Sequence, residues 1–270
     1  MIPAAGLGLR MVAVTKGVPK EMLPLGHKPM VQYAIEEAVG SGLHEICIVI
    51  GEGKESIRDW FRPKQDRTRT FDQSSNELER LLAVCHLTFV YQEKPRGLGD
   101  ALLQARDFVG NQSFVMIVTD QLMISSVPAT SQLLNHSQTG PIIWTTLVRL
   151  PKSERKIFTG ARGFEFERSA DSDELLMGRI QTEEETRAFF LDKDYELRGF
   201  GRTIFPPEIF DYLGEDYLNP QSGEVDLLRT FQVCTKSLEH RGVVLDGEPF
   251  DLGTPEGYYR YLPRFQESNA

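Results

Sequence analysis

At 270 residues, with 40% hydrophobic and 26% charged side chains, the chain has material for a full core and the composition of a soluble globular protein. Its net charge of −9 excludes a general nucleic-acid binder, which needs a basic stripe, but leaves room for a nucleotide site served by a few local cations. Cys47, Cys85 and Cys234 are too few and too scattered for a disulfide framework or a zinc site and fit a reducing cytoplasm; no apolar run is long enough to span a membrane, and no secretory segment is read at the start.

Only Met1-Ile2 precede Pro3, where an α/β nucleotide fold calls for a complete apolar strand. Either the start is placed too late, or the first strand is short and the sheet weaker for it. Residues 29–40 are expected to form a helix, with Pro29 in its first turn, an apolar stripe of Val31, Ala34, Ile35, Ala38 and Val39, and Gly40 and Gly42 at its end. The continuous apolar run 46–50 reads as a parallel strand covered on both faces. A short helix at 54–61, a charged connection containing RPKQDRTRT, and a helix at 76–84 follow. Strands are expected at 87–91, 114–118 and 142–150, with a helix at 100–108 between the first two. Repeated alternation of strand and helix means a doubly wound, mostly parallel α/β sheet with ligand at the carboxyl ends of the strands. Beyond Pro151 the pattern shifts to short strands at 163–166, 175–180 and 197–204 and helices near 207–213 and 222–233. No linker separates the two parts, so 1–270 is read as a single domain with halves 1–150 and 151–270.

The first 25 residues carry the strongest chemical signal. Gly6 and Gly8 form a turn in which backbone passes close to a ligand and successive N–H groups make an anion cradle, and Arg10 and Lys20 add positive charge for phosphate oxygens. A third glycine opening a helix, or Gly-Lys-Ser/Thr, would indicate a dinucleotide fingerprint or a Walker A loop, and neither is present. A two-glycine turn alone is most often only a turn; its pairing with PKEMLP at 19–24 makes it specific.

With that pairing, the chain resembles the nucleoside-triphosphate:sugar-1-phosphate nucleotidyltransferases, most closely the bacterial glucose-1-phosphate uridylyltransferases. The matching blocks are IPAAGLGLRM, TKGVPKEMLPLGHKPMVQYAIEEAV, YQEKPRGLGDALL, VTDQL, GRTIFPPEIFDYL, SGEVDLL and FDLGTPEGY, in family order across residues 2–259. The resemblance implies a Rossmann-like nucleotidyltransferase fold with inserted sugar-binding elements. It also implies attack by a sugar-1-phosphate oxygen on the α-phosphorus of a triphosphate, with release of pyrophosphate. UTP and glucose 1-phosphate are the implied substrates. A cytoplasmic homo-oligomer acting on small molecules, without nucleic acid or membrane, goes with them.

Residue by residue, the resemblance assigns Arg10 and Lys20 to catalysis, Arg10 on the pyrophosphate side. Ala5, Gly6, Gly8, Gln92 and Gly97 bind the nucleotide, the Gln92 amide reading a pyrimidine edge because it can both donate and accept. Asp120 and Asp251 are the expected Mg²⁺ ligands, since Mg²⁺ commonly takes one or two carboxylates plus phosphate oxygens; an Asp at a strand end is also a common turn or cap residue. Gly160, Gly223 and Glu224 are expected at the sugar, and Arg187 at the sugar phosphate. Arg187 follows from a gapless count back from Gly201-Arg202 onto the family's Glu-Lys-Pro lysine; a solvated arginine beside Glu183-Glu184-Glu185 is the competing reading. Other departures are Leu9 for a phosphate-contacting hydroxyl, Gln121 for a second Asp, and Asp100 for a His. They keep two alternatives open: the same reaction with dTTP or another sugar phosphate, and a low-activity nucleotide-sugar-binding paralogue. The five histidines show no ligand spacing and are read as structural or surface residues.

Overall fold

The computed structural model describes residues 1–62, 73–138, 140–159, 164–168, 175–180, 194–214, 218–219, 223–234 and 237–267. Strand β1 (Ile2–Pro3) leads through the glycine loop to the hairpin of β2 (Pro24–Leu25) and β3 (Lys28–Pro29). Then come β4 (Glu45–Ile50), β5 (His86–Tyr91), β6 (Phe114–Ile117), β7 (Gln121–Ile124) and β8 (Ile142–Pro151). The later strands are β9 (Phe164–Arg168), β10 (Leu175–Ile180), β11 (Tyr195–Phe205), β12 (Glu239–Val244) and β13 (Glu248–Asp251).

Parallel pairing joins β1 to β4 (Ile2 opposite Ile48) and β4 to β5 (Ile50 opposite Tyr91). Met1 extends the sheet the other way: its amine donates to Val115 O at 2.7 Å and its carbonyl accepts from Ile117 N–H at 3.0 Å, the slanted pattern of a parallel neighbour. Beyond β6 the order is β11, β8, β12, β10, β9, with β11 antiparallel to both β6 and β8, and β12 parallel to β8. The architecture is the expected α/β, doubly wound and mostly parallel sheet, with β11 and β10 running antiparallel to their neighbours.

Period-2 alternation explains why β4 is apolar from Ile46 onward, since each of its faces enters a core. Ile46, Ile48 and Ile50 enter one core with Val31, Ala34 and Ile35 of the helix Met30–Gly40; Cys47 and Val49 enter the other with Ala101, Leu102 and Phe231. Helices therefore cover both faces, as a parallel sheet requires. The Met30–Gly40 helix starts one residue later than expected, because Pro29 is extended and pairs with Pro24. The helix expected at 100–108 is two helices, Leu98–Gln104 and Arg106–Val109, broken where Ala105 N–H closes a tight turn onto Leu102 O at 2.9 Å. The helix expected at 76–84 runs from Gln73 to Val84, the one near 222–233 is Leu227–Cys234, and 207–213 holds a 3₁₀ helix, Pro207–Tyr212. Most of the RPKQDRTRT run lies outside the described residues.

A third core orients the site. Met11, Leu23, Leu25 and Met30, from the glycine loop to the start of the Met30–Gly40 helix, pack against Leu122, Phe250 and Leu252 and against Tyr258 and Phe265 of the helix Pro255–Glu267. The PKEMLP segment and the β7–β13 ladder are thereby one packed unit.

Candidate active site

The cradle begins where β1 ends. Gly8 turns the chain with φ of 63°, a left-handed conformation that glycine takes without strain, and a 3₁₀ turn, Leu9–Met11, follows. Arg10 stays exposed while Met11 is buried in the third core, which anchors the loop without immobilising its cation. Pro19 is extended and delivers Lys20 into a second 3₁₀ turn, Lys20–Met22. There Lys20 Nζ donates to Asp120 Oδ2 at 2.6 Å. Burial alone would lower the Lys20 ammonium, but Asp120 and Glu21 outweigh it and hold it above its ordinary value. Asp120 shows the converse: burial pushes its carboxyl up, and Lys20 and Arg10 bring it below the usual range.

Asp120 follows β6, and Asp251 ends β13, whose pairing with β7 sets Asp251 opposite Gln121. A side-chain carbon at Gly253 would meet Asp120 Oδ2 at 2.8 Å and Asp251 Oδ1 at 3.1 Å, so the two carboxylates flank a backbone that must lack one. Asp251 Oδ2 accepts from Thr159 N–H at 2.6 Å, Thr159 Oγ1 at 2.8 Å and Gln121 Nε2 at 3.2 Å, and Oδ1 accepts from Gly253 N–H at 2.9 Å. Burial, and then the charge of Asp120, push the Asp251 carboxyl up. Two buried like charges held together is the arrangement that a cation relieves.

Gln92 follows β5, fixed by its N–H on Ile50 O at 2.8 Å. Its side chain meets Gly97 O and Asp100, and Gly97 has φ of 90°. The 223–225 segment closes over this turn: Gly99 N–H donates to Val225 O at 3.0 Å, and Val225 N–H to Arg96 O at 2.8 Å.

These parts enclose a cleft of about 490 Å³ lined by Ala5, Gly6, Gly8, Arg10, Lys20, Gln92, Gly97, Asp120, Glu224 and Gly253. A second cavity of about 370 Å³ lies beside it, lined by Thr159, Phe200, Gly201 and Asp226 among others. Arg10, Asp120 and Glu224 line both. Gly223 is exposed on the rim loop and lines neither, while Gly160 and Arg187 lie outside the described residues.

A model of the family described as "Nucleotidyl transferase" matches residues 1–158. A UTP–glucose-1-phosphate uridylyltransferase of Streptococcus pyogenes is 33% identical over 96% of this chain and 86% of its own length. The chain belongs to the nucleotidyl transferase family. Among solved structures, an apo UDP-glucose pyrophosphorylase superposes with a TM-score of 0.83 at 26% identity, covering 100% of this chain and 98% of its own. A UDP-glucose pyrophosphorylase complexed with UDP-glucose gives 0.81 at 26% identity, covering 99% and 98%. This nucleotidyl transferase is an enzyme of that fold, and no helix among the described residues is long and apolar enough to cross a membrane.

Sequence reasoning missed the residues that hold the nucleotidyl transferase site in place. Arg202 is fully buried; its guanidinium donates to Val118 O at 3.2 Å and Gln121 O at 2.7 Å, either side of Asp120, and pairs with Glu37. It reaches them from a register shift in β11 at Gly201, where a Cβ would lie 1.9 Å from Val118 Cγ2. Gln121, noted only as a departure, bridges Gly201 N–H (2.7 Å to Oε1) and Asp251. Beneath Lys20, Lys54 Nζ donates to both oxygens of Glu21 at 3.1 and 2.9 Å; burial pushes Glu21 up and Lys54 down. Gly-Glu-Gly-Lys after an apolar strand, and an arginine beside a strand glycine, were the available signals.

Among the described residues no three His, Cys, Asp or Glu side chains gather into a metal cage. A divalent ion here would need substrate oxygens as well as the Asp120 and Asp251 carboxylates. That hard-oxygen set suits Mg²⁺.

Proposed function

We propose that the chain is a Mg²⁺-dependent uridylyltransferase that makes UDP-glucose and pyrophosphate from UTP and glucose 1-phosphate. The observation that carries this reading is the junction of two cavities at Arg10 and Asp120, with the glycine loop and Lys20 on the first. A phosphate oxygen of the sugar phosphate forms a bond to the α-phosphorus, and the bond from that phosphorus to the bridging oxygen breaks, pyrophosphate carrying the electron pair away. Such transfer depends on positioning and charge stabilisation more than on covalent help. Lys20 and the loop N–H groups hold the triphosphate, Arg10 balances charge on the leaving pyrophosphate, and Gln92 with the Gly97 turn takes the base. Asp120 and Asp251 would hold Mg²⁺, which supplies charge neutralisation between the phosphates. Glu224 accepts from sugar hydroxyls, with Gly160, Gly223 and Arg187 completing the sugar-phosphate side.

The reading includes a single domain with a nucleotide half at 1–150 and a sugar half at 151–270, a cytoplasmic location and a homo-oligomer. The test is a coupled pyrophosphate-release assay with UTP and glucose 1-phosphate, with and without Mg²⁺, and chromatographic detection of UDP-glucose. Release with UTP that vanishes on chelation supports it. Activity only with dTTP or another sugar phosphate moves it to the alternative substrate. No release with any pair leaves the binding paralogue, a reading that Leu9 in the cradle favours.

A further inference from the structure

Gln92 has used its donors. Nε2 donates to Asp100 Oδ2 at 2.6 Å and to Gly97 O at 3.2 Å, and among the described residues these are the bonds its side chain makes. Neither partner tolerates the reversed amide. Gly97 offers a carbonyl, and the Asp100 carboxylate is paired through Oδ1 with Arg96 Nη2 at 3.3 Å, so both only accept. Turning the amide over would set oxygen against oxygen at two places in a buried site, since Gln92 is 3% and Asp100 2% exposed. The NH₂ edge is committed to the Gly97–Asp100 turn, and what Gln92 presents to the cleft it lines is its oxygen.

We propose that Asp100 is a specificity-determining positioning residue: by fixing the Gln92 amide with its oxygen toward the cleft, it makes the site demand a nucleobase whose edge donates an N–H there. Uracil and thymine donate at N3. Cytosine accepts at N3 and meets an acceptor. The charge-assisted bond at 2.6 Å is the stronger of the two holding the amide, so Asp100 governs the orientation more than Gly97 does. The inference rests on the proposed use of this cleft for a nucleoside triphosphate and adds the residue that decides which pyrimidine enters.

The experiment measures equilibrium binding of UTP, CTP and inorganic tripolyphosphate to the full chain and to Asp100→Asn, with Asp100→Ala as a second variant should the first not fold. The unsubstituted protein should favour UTP over CTP by about tenfold or more, as when one hydrogen-bonding edge is mismatched. In either variant only the longer bond to Gly97 O still holds the amide, so its reversed orientation becomes accessible and the UTP:CTP ratio should fall several-fold with tripolyphosphate binding unchanged. A general loosening of the pocket would weaken both nucleotides together and leave the ratio alone. An unchanged ratio in a folded variant, or a protein that binds UTP and CTP equally, overturns the role of Asp100 while nucleotidyl transfer stands. A protein that binds none of the three ligands overturns the proposed function along with it.

Discussion

Lys20 and Asp120 stand 100 positions apart in sequence and are joined through Nζ and Oδ2 at 2.6 Å. The contact ties the phosphate cradle to the carboxylate pair, and it sets the charges of both: each partner is held in its ionised form against burial by the other. Asp251, on the far side of Gly253, has no such cation among the causes of its shift and is pushed the other way.

This asymmetry predicts how the pair responds to substitution. Asp120→Asn and Asp251→Asn each remove a negative oxygen donor at nearly constant shape and should cost several kcal/mol of transition-state stabilisation, on the order of a hundredfold or more in rate. Lys20→Met should behave differently. It frees Asp120 from its partner and weakens triphosphate binding, raising KM for the triphosphate more than it changes the Mg²⁺ requirement. Steady-state kinetics over a Mg²⁺ titration separate the two patterns. Near-normal rates for either Asn variant at limiting Mg²⁺ would remove that residue from the ligand set.

Arg202 and Glu37 offer a test of stability instead of catalysis. Burial would raise the Glu37 carboxyl, but Arg202 and Thr130 outweigh it and hold it below its ordinary value. Arg202→Met leaves that carboxylate without its cation and the Val118 and Gln121 carbonyls without a donor, at a cost of about 3–5 kcal/mol. Adding Glu37→Gln should recover part of the loss. Urea unfolding of the two single variants and the double variant gives the coupling; a double variant no better than Arg202→Met would show that the ion pair does not account for the cost.

The same pair shows why parts of the site were legible in the sequence and others were not. Gly8, Lys20, Asp120 and Asp251 sit in the local blocks that carry the family resemblance, and the structure brings Lys20, Asp120 and Asp251 together. Arg202 sits in such a block too, but its meaning depends on a register shift in β11 and on the close approach of Gly201 to Val118, contacts that join residues more than 80 positions apart. The parallel core was readable because β4 is apolar on both faces. The antiparallel course of β11 was not, since Tyr195–Phe205 carries no mark of direction. The break at Ala105 likewise comes from a single tightened turn within an apolar stretch that reads as continuous helix.

Arg187 is the sugar-phosphate cation in the proposed function, by position alone. Arg187→Ala should then raise KM for glucose 1-phosphate or lower kcat, with the KM for UTP barely changed. Arg187→Lys need not restore activity, because the sequence around it, Glu185-Thr186-Arg187-Ala188, lacks the proline of the family's Glu-Lys-Pro. Kinetics with both substrates varied decide it: unchanged constants for both would make Arg187 a solvated charge and put the phosphate elsewhere.

His240 makes the stability of the fold depend on pH. It is buried on β12, 2.9 Å from Thr145 Oγ1 through Nε2 and with its ring centroid 4.8 Å from that of Phe231. Burial pushes its pKa from 6.5 down to about 3. An unfolded chain takes up a proton here as pH falls through 6.5, while the folded protein resists until about 3. Stability is therefore lost on acidification across that window, and the loss from this one residue between pH 7.5 and 5.5 is about 1.4 kcal/mol. His240→Gln keeps a polar group near Thr145 but has nothing to titrate. Whatever the substitution costs at pH 7.5, the variant should lose about 1.4 kcal/mol less than the parent on moving to pH 5.5, because every other titrating group is common to both. Urea unfolding at the two pH values measures the difference. Equal losses in the two proteins would mean that His240 takes up its proton in the fold as readily as in the unfolded chain.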